Sequence, residues 1–420
     1  MNPETNPQIS NEIDLQKKWR TVLLLALAEL LVMGLWFSAS AVTPSLVGLW
    51  DLSGGQVAWL TMAVTVGFVA GAFLSALTNV SEVYSPRFVL ATSSFVGAGA
   101  TALIPFSGGF GPAVALRFVT GFAMAGVYPV GMKIMATWMK EDRGLGIGLL
   151  IGALAVGNAS PHLIRALGGI ANWQFVLYTA AALAAVGGAI GMWVGHLGPY
   201  RAAPAKFNWR YMGEVFRDRG LRLANFGYLG HMWELYSMWT WISLFLLASY
   251  QASGQARFWG MSAAAAASLM TFFVISASGP SSLIAGWLGD RLGRTRVTIA
   301  ILALSGTCAL MIGLFFGATP WLVTLVALVW GFAVAPDSGQ YSTAVSELSD
   351  PEYMGTALTL QTSMGFLLTL ITIRLVPTLV DVFGWQWSFA ILALGPLFGI
   401  WAMRRLKLSP EAGKLAGGRG

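Results

Sequence analysis

The chain has 420 residues, of which 56% are hydrophobic and only 10% are charged. This excludes an ordinary soluble domain, in which about 25% of residues are charged, and predicts a polytopic membrane protein. The net charge of +7 does not indicate nucleic-acid binding, because the basic residues stand between apolar runs instead of on one face. The single cysteine, Cys308, excludes an intramolecular disulfide bond.

Apolar segments long enough to cross a bilayer follow one another along the whole chain. Their apolar runs are continuous, which is typical of helices and not of a membrane β-barrel. We therefore predict an all-α polytopic membrane protein with twelve transmembrane helices. The predicted helices 1 to 12 cover residues 19–43, 56–78, 88–106, 111–138, 145–167, 173–196, 223–250, 258–288, 296–317, 320–346, 353–380 and 386–405.

The loops on the two sides of the predicted bundle differ in charge. Lysine and arginine are concentrated before helix 1, after helices 2, 4, 8 and 12, and between helices 6 and 7. Because cytoplasmic loops carry the excess of positive residues, both termini are predicted to be cytoplasmic, in a cell (inner) membrane.

A long polar connection separates the first six helices from the last six. Its two prolines, Pro199 and Pro204, disfavour a continuous helix there. The predicted organisation is an N-terminal cytoplasmic tail (1–18), a six-helix bundle (19–196), a cytoplasmic linker (197–222), a second six-helix bundle (223–405) and a C-terminal cytoplasmic tail (406–420).

Three short sequence matches between the two halves indicate an internal duplication. They keep the same order, and their offsets drift only from 205 to 212 residues. They are E-L-x-x-M-x-x-W starting at Glu29 and Glu234, Gly-Phe-Ala at Gly121 and Gly331, and Trp-Gln at Trp173 and Trp385. Parallel six-helix repeats are a transporter architecture in which substrate binds between the halves, near the bilayer midplane.

The connection after predicted helix 8 carries a recognisable motif. Residues 286–294 read Gly286-Trp287-Leu288-Gly289-Asp290-Arg291-Leu292-Gly293-Arg294, which resembles the signature G-x-x-x-D-R-x-G-R of the major facilitator superfamily. In helix 4, Arg117 and Gly121 are similar to that family's R-x-x-x-G motif. The resemblance implies a transporter with helices 1, 4, 7 and 10 around a central cavity. It also implies that Gly286, Asp290, Arg291, Gly293 and Arg294 form a gating loop.

Two positions depart from the family pattern. Glu82, in the connection after helix 2, aligns with Asp290 at an offset of 208 residues, but most of the accompanying arginines are missing. The sequence therefore does not decide whether Glu82 belongs to a matching gating clamp in the first half. In helix 5, Ser160 precedes Pro161 where many drug antiporters of the family have Gly-Pro, which argues against a drug antiporter.

Glu29 and Glu234 are the first candidates for a functional site. A carboxylate deep in an apolar helix costs about 3 kcal/mol on insertion scales, and such residues are usually functional. By the predicted symmetry, both face one cavity, where each would bind a proton or a cationic substrate group. The alternative is a protonated or hydrogen-bonded glutamate that only ties helices together.

His231 precedes Glu234 by three residues, so both are predicted to face one side of helix 7. A His–Glu pair can share and relay a proton, whereas a structural histidine would donate to a backbone carbonyl. We therefore assign proton handling to Glu234 with His231, and substrate contact to Glu29. Since His162 and His196 are the only other histidines, no metal site or cofactor is predicted.

Arg117 and Asp337 are the other charged candidates. Arg117 is predicted to hold a substrate carboxylate or to interact with a glutamate, unless it belongs to a fixed structural ion pair. Asp337 follows Pro336, which breaks the backbone hydrogen-bond ladder of helix 10. Asp337 then either contacts the substrate or caps the segment that follows.

Four further residues complete the predicted substrate site. Trp36 and Trp241 follow the two glutamates by seven residues, on the same helix face, where they could stack on a substrate or pack only against helices. Tyr128 and Gln361 are weaker candidates on helices 4 and 11.

The sequence predicts a transporter and not an enzyme. No nucleotide-binding loop is present, so an ion gradient is expected to drive transport, and the buried acids favour protons. The first expectation is a monomer that imports an organic anion or zwitterion together with protons. The second is proton-antiport efflux of an amphipathic or cationic compound. A receptor or channel on the same fold is the alternative from another class.

Overall fold

The computed structural model describes residues 7–78, 80–139, 143–200, 212–255, 257–350 and 354–420, and these ranges are almost entirely helical. Their only strands are the two-residue pair Arg257–Phe258 and Met261–Ser262, which forms an antiparallel hairpin. Most of the predicted linker, residues 201–211, lies outside the described ranges. Where the description resumes, Met212–Arg217 is helical.

Six long helices form the first half of the molecule. Three of them are interrupted or change pitch along their length. Their bounds are Pro7–Trp50 (helix 1), Gly54–Thr78 (helix 2), Pro86–Leu103 with the turn Ile104–Phe106 (helix 3), Phe110–Met124 and Tyr128–Trp138 (helix 4), Arg143–Ile164 with the π-turn Arg165–Gly169 (helix 5), and Trp173–Val194 (helix 6); the short helix Val80–Val83 precedes helix 3.

The second half repeats this arrangement. Its helices are Arg219–Ala252 (helix 7), Ala263–Ser276 and Ser278–Leu292 (helix 8), Arg294–Met311 with Ile312–Phe315 (helix 9), Pro320–Ala333 and Ser338–Leu348 (helix 10), Met354–Phe383 (helix 11), and Trp385–Ser388, Ala390–Ala393 and Leu394–Lys407 (helix 12). A 3₁₀ segment, Pro410–Gly417, follows helix 12.

Eleven of these helices are long and apolar enough to cross a membrane, as far as the described residues show. The twelfth, helix 7, has 34 residues and is long enough, but polar side chains such as His231 and Glu234 interrupt its apolar sequence. Its polar residues are buried in protein, where helices and not lipid surround them. The prediction of twelve transmembrane helices in two six-helix halves is confirmed.

The helices alternate in direction, so the bundle has two ends. We call the end with the 2–3, 4–5, 6–7, 8–9 and 10–11 connections the linker side, and the opposite end the far side. At the linker side, the Arg87 side chain bonds to His196, and the Gly198 amide donates to Thr137. At the far side, Gly54 lies against Pro377 of the other half.

Equivalent close contacts in the two halves confirm the duplication at the level of packing. A Cβ at Gly121 in helix 4 would overlap the Val64 carbonyl in helix 2. A Cβ at Gly331 in helix 10 would overlap the Val274 carbonyl in helix 8. Both glycines and both carbonyls are 210 residues apart. Helices 4 and 10 also break at equivalent places, resuming at Tyr128 and Ser338. The sequence match at Gly121 and Gly331 therefore records the same backbone contact made twice.

Replacing Gly121 or Gly331 with alanine is expected to lower the free energy of unfolding in each case. The added methyl group meets backbone, which cannot move aside as a flexible side chain can, and overpacking costs about 1–3 kcal/mol or more. Thermal unfolding followed by tryptophan fluorescence measures the loss. Gly111 is the control, because nothing lies within 4 Å of its Cβ position in the same helix 4. If Gly111→Ala is as destabilising as the other two, the contact explanation is wrong.

The two halves meet along two pairs of helices and a central aromatic cluster. Helix 5 approaches helix 8 where the Cβ position of Gly152 is 3.7 Å from the Cα of Gly279. Small residues permit this closeness. Helix 2 meets helix 11 at the far side, where the Cβ position of Gly55 is 2.9 Å from the Arg374 guanidinium. The far side of the interface between the halves is therefore closed.

The aromatic cluster lies near the middle of helices 1, 2, 7 and 11 and consists of Trp36 and Phe68 from the first half and Tyr236 and Phe366 from the second. The Trp36 ring centroid lies 5.2 Å from Phe68, 5.6 Å from Tyr236 and 5.5 Å from Phe366. Such distances are typical of aromatic pairs that stabilise contacts beyond their buried area. The cluster extends the closure from the far side to the centre of the molecule.

Candidate functional site

Glu29 is fully buried between helix 1 and the linker-side segment of helix 4. Its Oε1 atom lies so close to Gly131 that a Cβ there would overlap it. Tyr128, which begins this segment of helix 4, is half-buried and precedes Gly131 by three residues. Neither carboxyl oxygen has a hydrogen-bond partner among the described residues. Glu29 is thus a buried acid that the surrounding side chains do not satisfy.

Glu234 is equally buried but fully engaged. The Trp330 indole Nε1–H donates to its Oε1 atom at 2.6 Å, and the Ser305 hydroxyl donates to its Oε2 atom at 3.0 Å. These partners lie on helices 10 and 9 of the same half. Glu234 therefore points into the second half and ties three of its helices together, instead of facing the first half as the predicted symmetry required.

His231 joins helix 7 to the break in helix 10. Its Nδ1 atom lies 2.9 Å from Asp337 Oδ1, and its Nε2 atom lies 2.5 Å from the Ser338 hydroxyl. Asp337 stands directly before the segment Ser338–Leu348, where the helix dipole favours a negative charge. Among the ion pairs of the described residues, the histidine is therefore paired with Asp337 and not with Glu234.

Contacts with helices 6 and 12 show which positions of helices 1 and 7 are structurally equivalent. A Cβ at Gly187 in helix 6 would be 2.7 Å from the Ala28 carbonyl, and a Cβ at Gly395 in helix 12 would overlap the Gly230 carbonyl. The two glycines are 208 residues apart, and the two carbonyls are 202 residues apart. A residue of helix 1 is thus structurally equivalent to the residue about 202 positions later in helix 7. The sequence match indicates an offset of 205.

The structural offset makes His231, and not Glu234, the counterpart of Glu29. The surroundings agree. Glu29 touches Gly131, and the His231 ring lies 5.9 Å from the ring of Tyr341, which is 210 residues after Gly131. The E-L-x-x-M-x-x-W match is therefore displaced by almost one helical turn from the structural symmetry. The two glutamates do not form a symmetric pair.

Arg117 is fully buried, and backbone carbonyl oxygens occupy most of its donors. Its Nε atom donates to the Leu60 carbonyl at 3.1 Å, and Nη1 donates to the Leu35 carbonyl at 2.8 Å and to the Ser38 hydroxyl at 3.2 Å. Nη2 donates to the Trp36 carbonyl. None of the ion pairs found among the described residues includes Arg117. The guanidinium thus joins helices 1, 2 and 4, and too few donors remain for bidentate binding of a substrate carboxylate.

The two tryptophans of the sequence repeat have different surroundings. Trp36 belongs to the aromatic cluster between the halves, and its Nε1–H has no acceptor among the described residues. The Trp241 Nε1–H donates to the Ile373 carbonyl of helix 11 at 3.1 Å, inside the second half. Gln361, also in helix 11, is buried with both amide atoms unpartnered in the described part of the chain.

Helix 5 contributes three polar residues that the sequence reasoning did not select. Asn158, His162 and Arg165 are buried, and each has at least one polar atom without a partner among the described residues. Spaced four and three residues apart, they share one helix face. The signal was present, because three polar residues at helical spacing inside an apolar segment are unusual.

This face of helix 5 is turned toward the other half. Arg165 Nη1 donates to the Ser268 hydroxyl of helix 8 at 3.3 Å. Two turns before Asn158 on the same face, the Ile151 side chain lies 3.4 Å from the Cβ position of Gly339 in helix 10. The structure therefore places buried, unpartnered polar groups of helix 5 at the junction of the halves, and the unpartnered carboxyl group of Glu29 against helix 4 of the first half, as far as the described residues show.

The predicted gating loop is held by its own half. Arg294 forms a bidentate pair with Glu347 of helix 10, with Nε–Oε2 and Nη2–Oε1 distances of 2.8 and 2.7 Å. Its Nη1 atom donates to Gln340 at 3.1 Å, and its Nη2 atom also lies 3.1 Å from the carboxylate of Asp290. Planar guanidinium–carboxylate pairs of this kind fix position as well as charge. The loop is thereby fastened to the linker-side segment of helix 10.

The remaining loop residues are exposed or shape the turn. Arg291 stacks on Trp287 at 4.1 Å, and Gly293 has a φ of +97°, which favours glycine. Gly286 faces open space, with nothing within 4 Å of its Cβ position. Asp290 is 63% exposed. The side chain of Glu82, and those of Arg143 and Gly144 at the start of helix 5, lie outside the described residues.

Two similar six-helix halves that meet around buried polar side chains define a membrane transport protein. The chain belongs to the Major Facilitator Superfamily, whose model matches residues 25–259 and again residues 226–420. The resemblance seen in residues 286–294 is confirmed by these matches, which together cover both halves.

One relative in sequence and two solved structures that resemble this chain are described as transporters or homologues of transporters. The putative niacin/nicotinamide transporter NiaP of Bacillus subtilis (strain 168) is 24% identical over 315 residues, which cover 70% of this chain and 74% of NiaP. The crystal structure of the nucleoside transporter NupG has a TM-score of 0.69 at 15% identity and covers 93% of this chain and 99% of NupG. A bacterial homologue of the human lysosomal transporter Spinster, inward-facing and unoccupied, has a TM-score of 0.68 at 14% identity and covers 94% of this chain and 99% of its own. At these identities, the two structures show the shared fold alone.

Proposed function

We propose that this protein is a proton-coupled secondary transporter that imports a small organic anion or zwitterion by alternating access. One observation carries the proposal. Buried polar groups of both signs, Glu29 on helix 1 and the Asn158–Arg165 face of helix 5 at the junction of the halves, lack full sets of partners among the described residues. A buried polar group without a partner costs about 1–3 kcal/mol, so a purely structural role does not explain them. A solute and a proton that bind there would supply the missing interactions.

The packing of the halves is compatible with alternating access. Helices 5 and 8 meet through glycines, which let the halves slide, and the far side is closed by contacts that run to the aromatic cluster. Opening the far side requires these contacts to separate. The basic residues of the linker side make it the cytoplasmic side in this proposal. The proposed domain bounds are those predicted from the sequence.

Glu29 is the proposed proton site. Burial disfavours the charged form of a carboxyl group, and Glu29 has no donor within the described residues to offset that cost. The carboxyl is therefore suited to hold a proton while the site is closed and to release it once water enters. The proposal thus moves proton handling from Glu234, which Trp330 and Ser305 hold within the second half, to Glu29.

Arg165 is the proposed contact for an anionic substrate. It lies toward the far side of helix 5, has one hydrogen bond to Ser268 and keeps an unpartnered Nε atom among the described residues. The relative NiaP is described as a niacin/nicotinamide transporter, and niacin is a heteroaromatic carboxylate. A guanidinium would bind the carboxylate, and the aromatic cluster offers faces for a flat ring.

Replacing Arg165 with glutamine is expected to raise the half-saturating concentration of an anionic substrate about tenfold, which corresponds to one charge-assisted hydrogen bond. Uptake of nicotinate and of neutral nicotinamide into proteoliposomes with an imposed pH gradient compares the charged and uncharged ring. If nicotinate and nicotinamide are affected equally, Arg165 does not read the carboxylate. If neither compound is transported by the unmodified protein, the heteroaromatic assignment is wrong and other anions and zwitterions are the next candidates.

The second candidate function is proton-antiport efflux of an amphipathic or cationic compound. It is favoured by Glu29 as an acid that a cation could neutralise. The direction of the proton gradient separates the two functions. A proton symporter accumulates solute in the linker-side compartment when that compartment is alkaline, because protons and solute enter it together. An antiporter accumulates solute in the same compartment when it is acidic, because protons leave as the solute enters. Saturable flux with trans-stimulation would exclude a receptor or channel on this fold.

A further inference from the structure

Helices 8, 9 and 10 leave an apolar groove on the outer wall of the second half. We call it the lateral groove, with a volume of about 390 Å³. It is lined by Ala285 and Leu288 of helix 8, Val297 and Ala300 of helix 9, and Phe332 and Pro336 of helix 10. Alanines and the break of helix 10 at Pro336 leave the space unfilled. Neither the proton site nor the substrate contacts proposed above include these residues.

The lateral groove is open to the bilayer. Ile284 and Leu292 on its helix 8 wall are 47% and 51% exposed, and Leu304 and Phe332 are exposed as well. Exposed apolar side chains on membrane-spanning helices contact acyl chains. The groove begins at the linker side, where Gly293 joins helices 8 and 9, and extends to the break of helix 10. A single acyl chain fits such an elongated apolar space.

A basic side chain lies at the mouth of the groove. Arg296 lines the groove at its linker-side end and is exposed, with no hydrogen bond, ion pair or ring contact within the described residues. The neighbouring Arg294 contacts Glu347, Gln340 and Asp290. The two nearby carboxylates are therefore paired with Arg294 and not with Arg296. Arg291 lies one turn beyond Leu288 on the same flank of helix 8, stacked on Trp287.

We propose that the lateral groove binds one anionic phospholipid, with an acyl chain between helices 8, 9 and 10 and the headgroup phosphate on Arg296. Charge complementarity supports this occupant, because basic pockets between transmembrane helices at the cytoplasmic level bind anionic headgroups. Arg291 adds positive potential at the same level. The lipid in this position lies against Pro336, directly before Asp337, which is the partner of His231.

The test uses the full-length protein and native mass spectrometry with phosphatidylglycerol or phosphatidylcholine added in steps. The unmodified protein is expected to retain one phosphatidylglycerol molecule in preference to phosphatidylcholine. Arg296→Gln should weaken phosphatidylglycerol binding about fivefold, the effect of about one basic residue at the membrane surface. Arg404→Gln, which removes an exposed arginine of helix 12 outside the groove, is the control and should change nothing.

Filling the groove tests the acyl-chain part of the proposal. Ala300→Phe places a ring in the groove and should reduce lipid retention, whereas Ala303→Phe, at an exposed position of helix 9 outside the groove, should not. Equal binding of the two lipids, or an unchanged Arg296→Gln protein, overturns the proposal. Competition by glycerol 3-phosphate would assign Arg296 to a free phosphate, and a dimer that Ala300→Phe dissociates would assign the groove to a second copy. Either result also overturns it. If Ala300→Phe fails to fold, the Arg296→Gln comparison still decides.

Discussion

Glu29→Gln is expected to abolish proton-driven accumulation of the substrate, so that the internal concentration rises no further than the external one. Exchange of labelled for unlabelled substrate should continue. The amide has nearly the same shape as the protonated carboxyl group and loses no hydrogen bond, because Glu29 makes none with the described residues. It cannot release a proton, so the empty, deprotonated transporter cannot return, whereas the loaded transporter still moves in both directions. Proteoliposomes with and without a pH gradient measure accumulation and exchange in one preparation.

Glu234→Gln is the matched control for this variant. A glutamine at this position can keep both contacts, accepting from the Trp330 indole through its oxygen and donating to the Ser305 hydroxyl, which is free to donate to the Leu302 carbonyl. Proton-driven accumulation is therefore expected to survive. If accumulation is lost in Glu234→Gln and kept in Glu29→Gln, the proton site belongs to helix 7, as the sequence alone indicated.

Arg117→Lys should lower the free energy of unfolding by about 3 kcal/mol, and both accumulation and exchange should fall with the amount of folded protein. A lysine ammonium keeps the charge but cannot reach the carbonyls of Leu35, Trp36 and Leu60 together. Hydrogen bonds to charged groups contribute about 1.5–3 kcal/mol each, so losing two or more of them explains the size of the effect. Thermal unfolding in detergent, followed by tryptophan fluorescence, measures it.

Arg165→Lys is the comparison for Arg117→Lys. Arg165 makes one hydrogen bond with the described residues, at 3.3 Å, so its replacement should leave the unfolding temperature nearly unchanged while the half-saturating substrate concentration rises. The opposite pattern, a stable Arg117→Lys protein with weakened anion binding, would return Arg117 to the substrate site and remove the structural role assigned here.

Several features of the fold followed directly from the sequence. Apolar runs of sufficient length located the membrane helices, because a bilayer leaves the backbone few alternatives to a helix. Pro336 indicated the break in helix 10, since proline removes a backbone donor. The match of Gly121 with Gly331 identified the duplication, because both glycines are required by the same close approach of two helices. The motif at residues 286–294 identified the family, which the family model confirms.

The candidate site was less accessible to sequence reasoning. Glu29 stood out as a buried acid, but its lack of partners depends on the contacts of helix 4, which the sequence does not show. The E-L-x-x-M-x-x-W match paired Glu29 with Glu234, whereas the packing of helices 6 and 12 pairs Glu29 with His231. Asn158 and Arg165 were not among the predicted site residues, because the sequence does not show which neighbours a face of helix 5 contacts.

The sequence by itself determined that this protein is a twelve-helix, duplicated membrane transporter. It also showed charged residues in apolar helices, where inserting a charge into the membrane costs free energy. Only the tertiary structure decided what those charges meet. Backbone hydrogen bonding and apolar length specify each helix separately, and both are local properties of the chain. The rotation of each helix about its axis depends on how all twelve pack, and a shift of three residues is enough to turn a side chain toward a different partner. For that reason Glu234 and Arg117 are hydrogen-bonded within their own halves, while Glu29 and the polar face of helix 5 keep buried polar atoms without partners among the described residues.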